Sequence, residues 1–204
     1  MKIVNVCPES FGANCYLIIS KGHALAVDPA PSAEAIKRKA ESEGAVIDGI
    51  LLTHGHFDHI VSLDTLRASL SIPAYVHTED APMLEDGRKN AFFEFFGRDR
   101  KYAPAEFLMR DGDIIPVGEE EIKVIHTPGH SPGSVCFLCG DTLITGDTLF
   151  ADSIGRCDLW GGSHEAIKAS LAKLRDYNGS MRILPGHGPA SLLGAALDNS
   201  AYFI

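Results

Sequence analysis

Apolar positions along the chain fall mostly into short runs of four to seven residues, many of them β-branched, separated by Gly, Pro, Asp and Asn. Such runs read as strands, and those at 2–6, 15–20 and 23–27 open the chain. Pro8 and Gly12 break the first pair, and Val27-Asp28-Pro29 closes the third strand. Ser32 then stands at an N-cap position before an Ala-, Lys- and Glu-rich helix running to about Glu43, with Gly44 as its stop. A strand over 47–53, a helix over 58–70, a strand over 74–77 and a helical turn over 79–84 follow. Strands recur at 113–117, 121–126, 134–139 and 142–146, then a helix at 163–177, a strand at 181–184 and a last helix at 189–202. Two strand-rich halves with interspersed helices make an α/β protein. The 204 residues, 45% hydrophobic, suit one globular domain over 1–204 with a sizeable core.

The segment 90–107 fits this scheme least. Phe92, Phe93, Phe95 and Phe96 lie beside Arg98, Arg100, Lys101 and Tyr102. A helix packing its aromatics on the core is one reading; an active-site lid or a contact between two copies are the others.

Charge and cysteine usage narrow the classes. The net charge of −9 argues against a surface built to neutralise phosphates, hence against nucleic acid as partner. No stretch approaches a membrane span, and the apolar run after Met1 is too short for a signal peptide. The five cysteines are odd in number and scattered, as suits a reducing cytoplasm. Cys136 and Cys139 form a C-x-x-C inside a strand, where residues three apart face opposite sides, so no disulfide is expected between them. Cys7, Cys15 and Cys157 read as small buried or half-buried residues.

The candidate chemistry lies at strand ends. Thr53-His54-Gly55-His56-Phe57-Asp58-His59 follows the apolar run Ile50-Leu51-Leu52. Three imidazoles and a carboxylate at one strand end would be unfavourable to desolvate without a ligand. Three further segments follow apolar runs in the same way: His126-Thr127-Pro128-Gly129-His130, Thr145-Gly146-Asp147-Thr148 and Leu184-Pro185-Gly186-His187-Gly188. In open α/β sheets, sites gather where several strands end. A donor set of imidazole and carboxylate without cysteine suits zinc or iron.

Taken together these motifs resemble the metallo-β-lactamase-fold hydrolases, and within them the glyoxalase II (hydroxyacylglutathione hydrolase) branch. The matching residues are His54-x-His56-x-Asp58-His59, His130, Asp147 and His187, in that order along the chain. The resemblance implies a four-layer αββα sandwich and two adjacent divalent metal ions, zinc first, with iron or a mixed pair as alternatives. One ion would take His54, His56 and His130, the other Asp58, His59 and His187, with Asp147 shared. A hydroxide held between the ions would attack a thioester, and Asp58 is the candidate to orient it or handle a proton. The expected partner is thus a small-molecule substrate, with a homodimer the one assembly weighed.

Two other readings stand beside this one. The persulfide dioxygenases of the same branch use a single iron and carry a Gly-Arg-x-Asp loop like 155–158; a non-catalytic metal-binding module is the third reading. The chain ends about seventeen residues after His187. That is too soon for the helical region with which full-length glyoxalase II enzymes hold glutathione, so no glutathione contacts are carried over. Without an export signal, a β-lactam substrate is not expected. Asp28 is either a hydrogen-bond partner of a ligand histidine or a turn former before Pro29. Arg156 is read as a clamp on Asp152 or Asp158 in preference to a contact for a substrate carboxylate. His23, His77 and His164 are assigned surface or capping roles, and His126 a structural one.

Overall fold

The computed structural model describes residues 1–7 and 12–200; Pro8, residues 9–11 and the last four residues lie outside what it describes. The first half forms β1 (Lys2–Asn5), β2 (Tyr16–Ser20), β3 (His23–Val27), α1 (Ala33–Ser42), β4 (Val46–Leu51), α2 (Leu63–Leu70), β5 (Ala74–His77), α3 (Ala81–Leu84), α4 (Phe92–Phe96) and β6 (Phe107–Met109). Its strands make a six-stranded sheet in sequential order β1 to β6. The second half contributes β7 (Ile114–Val117), β8 (Glu120–His126), β9 (Val135–Cys139), β10 (Thr142–Gly146), α5 (His164–Leu174), β11 (Arg182–Pro185), β12 (Ser191–Leu192) and α6 (Leu193–Ser200). These strands make a second six-stranded sheet, ordered β12-β11-β10-β9-β8-β7.

Strand periodicity explains the layering. Side chains alternate across a strand, and in β2 Leu17 and Ile19 enter one core while Tyr16 and Ile18 enter another. The first core lies between the first sheet and α1 and α2, through Ile36, Ala40, Leu63 and Leu66. The middle core joins the sheets, with Val27 and Leu51 from one and Val124, Phe137 and Ile144 from the other. The third packs Ile125, Leu143 and Ile183 on Leu171 and Leu174 of α5 and Leu193 and Leu197 of α6. Three cores between four layers are the expected αββα sandwich. Strands buried on both faces lose polar alternation, and all five residues of β2 are buried.

Helix ends follow the expected chemistry. Ser32 caps α1 by accepting from Ala35 N, and Gly44 after its end takes φ +67. Ser163 caps α5 in the same way, through Ala166 N. Cys136 and Cys139 do face opposite cores.

Four expectations need correction. The helix expected at 58–70 begins only at Leu63. Residues 56–63 instead form tight turns, with His59 N on His56 O and Ile60 N on Phe57 O. β6 was not expected: it has three residues, and Phe107 and Leu108 are exposed, so no alternation marks it. The last helix is shorter, beginning after β12, and the expected residues 201–202 lie outside the described part. Finally, α4 has no buried residue, so its phenylalanines do not pack on the core.

Candidate metal centre

β4 and its neighbours β3 and β5 run parallel, as do β10 and β11 in the other sheet. β8, two antiparallel steps from β10, runs the same way. The turns leaving β4, β8, β10 and β11 therefore open at one end of the sandwich. All seven predicted ligands sit on those turns, and the structure brings them into one cluster.

Two triads can be drawn in it, His54–His56–His130 and Asp58–His59–His187, each with donor atoms within 4.8 Å of one another. In the first, His56 Nδ1 lies 2.8 Å from His130 Nε2. In the second, His187 Nε2 lies 3.2 Å from Asp58 Oδ2 and 3.3 Å from His59 Nε2. Asp147 stands between them. Its Oδ1 is 3.3 Å from His59 Nε2, and its Oδ2 is 3.6 Å from His130 Nε2 and 3.7 Å from His187 Nε2.

Outer contacts set which ring nitrogen faces inward. His54 Nδ1 meets Thr53 Oγ1 at 3.1 Å, His59 Nδ1 meets Asp28 Oδ2 at 2.9 Å, and His130 Nδ1 donates to Arg156 O at 2.8 Å. Such contacts orient metal-binding imidazoles and fix their tautomers. Asp28, His54 and His59 also converge. However, Asp28 already accepts from Thr53 N, Thr53 Oγ1 and His59 Nδ1, which makes it a support for the cluster. Both sequence readings of Asp28 hold, since it also takes a positive φ of 51 at the turn into Pro29.

Burial and charge tell whether the cluster fits an ion. Burial, then the neighbouring imidazoles, push the His54 pKa well below its usual value, and burial chiefly takes His56 down to about 3. Neutral rings are the ligating form. Burial opposes ionisation of Asp147, yet His59 and the other imidazoles outweigh it and bring its pKa to about 2. Among the described residues four buried side-chain atoms lack a hydrogen-bond partner: His54 Nε2, His56 Nε2, Asp147 Oδ1 and Tyr102 Oη. Three of the four belong to this cluster. Leaving such atoms unpaired is costly, and a divalent cation would satisfy His54 Nε2 and Asp147 Oδ1, whereas His56 turns its other nitrogen, Nδ1, toward His130. The residues fit the metal.

Sequence reasoning missed three supports. Asp80, fully buried, accepts from Gly55 N, Gly133 N and Ser131 Oγ, so it joins the His54–His56 turn to the His130 turn. Its one signal is an Asp ahead of Ala81-Pro82, which also reads as an ordinary helix cap. Asn14 donates to the carbonyls of Pro185 and Gly188, and Tyr16 Oη to Pro185 O, so the start of β2 holds the His187 turn. Long-range contacts of this kind leave no local pattern. His77 was expected at the surface or as a cap; it is buried, stacked on His126 at 4.0 Å. It also accepts from Glu79 N, a capping role. His126 Nε2 contacts Pro132 O at 2.8 Å and so steadies the His130 turn structurally, as read. Arg156 makes the clamp, with Nε and Nη2 on the two oxygens of Asp158 at 2.7 and 2.8 Å. His23 is exposed and contacts Asp48.

A cavity of about 330 Å³ opens over the cluster, lined by His56, Asp58, His130, Asp147 and His187 on its floor and by aromatic residues above.

Fold, cluster and cavity define a metallo-hydrolase with a His/Asp centre for divalent metals. The metallo-β-lactamase superfamily model matches residues 9–187, and the chain belongs to that superfamily. It is 37% identical to the probable metallo-hydrolase YqgX of Bacillus subtilis, over 87% of this chain and 85% of that one. The crystal structure of BLEG-1 B3 metallo-β-lactamase superposes with a TM-score of 0.91 at 35% identity, covering 98% of this chain and 99% of that one. That of TTHA1623 in a di-iron-bound form gives a TM-score of 0.84 at 32% identity, over 99% and 100%. Among the described residues no helix is long and apolar enough to cross a membrane.

Proposed function

We propose that this centre binds two divalent metal ions and hydrolyses acyl thioesters, in the manner of the glyoxalase II branch. The observation that carries the reading is the pair of triads with Asp147 between them beside a cavity. Two bound ions supply an acidified water, its pKa lowered from about 15.7 toward about 7, and polarise an acyl carbonyl. His54, His56 and His130 would hold one ion, Asp58, His59 and His187 the other, with Asp147 common to both. Zinc suits this donor set first; the di-iron form of the TTHA1623 relative supports iron as the alternative.

The chain's own residues do the rest. Asp28, Thr53 and the Arg156 carbonyl keep the rings aimed, so little reorganisation accompanies the reaction. Asp58 lines the cavity. Burial opposes its ionisation, but His59 and His187 hold its pKa below the ordinary carboxylate range. It would orient the attacking water while the acyl carbon accepts the oxygen. The carbon–sulfur bond then breaks, and water's second proton leaves with the thiol. The products are an acid and a thiol. The five free cysteines, four of them buried, suit a reducing compartment, and we assign the protein to the cytoplasm.

The likeness to a B3 metallo-β-lactamase favours a second reading, β-lactam amide hydrolysis by the same residues. A panel of lactoyl-glutathione, simple acyl thiols, a chromogenic cephalosporin and a persulfide, run on zinc- and iron-loaded protein, separates the readings. Thioester turnover at least about tenfold above cephalosporin turnover is expected. Cephalosporin turnover alone overturns the thioester reading. Oxygen uptake on the persulfide with a single bound iron overturns the hydrolase.

A further inference from the structure

Above its charged floor the cavity is apolar. Phe57, Phe95, Phe150 and Leu159 line it, and Arg156 is its one cation among the described residues. That guanidinium is already paired with Asp158 through two hydrogen bonds. Three flanking cations are engaged elsewhere, and Arg98 does not line the cavity. Arg88 sits over Phe93, Lys89 over Trp160, and Arg100 over Phe92 and Tyr102 while donating to Val61 O.

The phenylalanines are arranged for contact. Phe57 lies between His56 and Asp58 in the chain, and its ring packs on those of Phe92, Phe95 and Phe96 at 5.4 to 5.6 Å. Phe95 and Phe96 nevertheless stay 56% and 50% exposed. α4 carries them between two left-handed residues, Ala91 and Gly97, and buries none of its own side chains. A helix with no core contacts, holding half-exposed aromatic rings at the mouth of a reactive centre, gains from an apolar group that covers those rings.

Resting on the reading of the centre as an acyl hydrolase, we infer that this cavity takes substrates with an uncharged, apolar group next to the scissile carbonyl. Phe57 and Phe95 select that group. Substrates bearing a free carboxylate there find no unpaired cation, because Asp158 holds Arg156.

The test uses thioesters of N-acetylcysteamine with acetyl, butyryl and hexanoyl groups, and a parallel set of acetyl thioesters with lengthening alkyl thiols. The two sets tell which side of the carbonyl the cavity holds. On the zinc-loaded protein, kcat/KM rises roughly threefold per methylene in one set, as for apolar burial. Phe95→Ala cuts the hexanoyl-to-acetyl ratio by about tenfold. Asp158→Asn, which frees Arg156, raises kcat/KM for a succinyl thioester relative to butyryl. Titration calorimetry of the same thioesters into metal-free protein reads binding without turnover. Chain-length-dependent affinity that Phe95→Ala removes supports the inference even if no thioester is hydrolysed, in which case the thioester reading alone fails. Equal affinity and equal kcat/KM for acetyl and hexanoyl in both sets, or a succinyl thioester preferred by the unaltered protein, overturns the inference.

Discussion

Asp28 shows how a single residue sets the centre without entering it. Asp28 fixes Thr53 through two contacts and His59 through a third, so one carboxylate steadies the turn of one triad and the ring of the other. Replacing a group that orients ligands costs roughly ten- to a hundredfold in metal affinity. Asp28→Asn is expected to show such a loss in competition with a chromogenic chelator; unchanged affinity would leave Asp28 as a turn former alone. His77 bears on stability. Burial, then neighbouring His126, takes its pKa from 6.5 down to about 4. Between those values the unfolded chain is protonated at this position and the folded chain is not. The unfolded state thus binds more protons, and stability falls as pH drops from 6.5 to about 4. His77→Asn, read by urea unfolding of metal-free protein, flattens that part of the pH profile relative to the parent. An identical slope would mean that His77 titrates normally.

Elements bring the predicted ligands together, and here legibility in the sequence was uneven. The ends of β4, β8, β10 and β11 were visible because each apolar run stops at a Gly- or Pro-bearing turn with a predicted ligand on it. The cap Ser32 was visible for a similar, local reason. The start of α2 was not: the 56–63 turns use hydrogen bonds three residues long and carry the same residue types as a helix start. α4 misled because four phenylalanines in five residues look like core, while Phe92, Phe95 and Phe96 pack on Phe57 and Phe93 lies under Arg88. Asp80, Asn14 and Tyr16 escaped because their partners lie far away in sequence. The β11 turn offers a direct test of close approach. A β-carbon on Gly186 would overlap Asp147 Oδ1 and the His59 ring. Gly186→Ala should therefore cost an ion from the second triad while α5 and α6 stay folded. Full metal content by elemental analysis, with unchanged circular dichroism, would show that the turn can shift freely.

At the scale of the whole molecule, the two sheets carry different shares of the centre. The first supplies His54, His56, Asp58 and His59, the second His130, Asp147 and His187, and the middle core clamps them face to face. Each proposed ion ties one half to the other, so binding must stabilise the sandwich as a unit. For an ion at about a hundred times its Kd, the linkage amounts to roughly 5–10 °C in Tm for a chain of this size. Calorimetry of metal-free and reconstituted protein is expected to show a rise of that order. An unmoved Tm would mean that any bound ion sits outside the fold's own ligands. Two ions sharing Asp147 across the sheets are the core of the account, and counting metal per chain tests it most directly. Elemental analysis of reconstituted protein should give two ions per chain, falling toward one in His187→Ala. A single ion in the unaltered protein, unchanged in that variant, would contradict it.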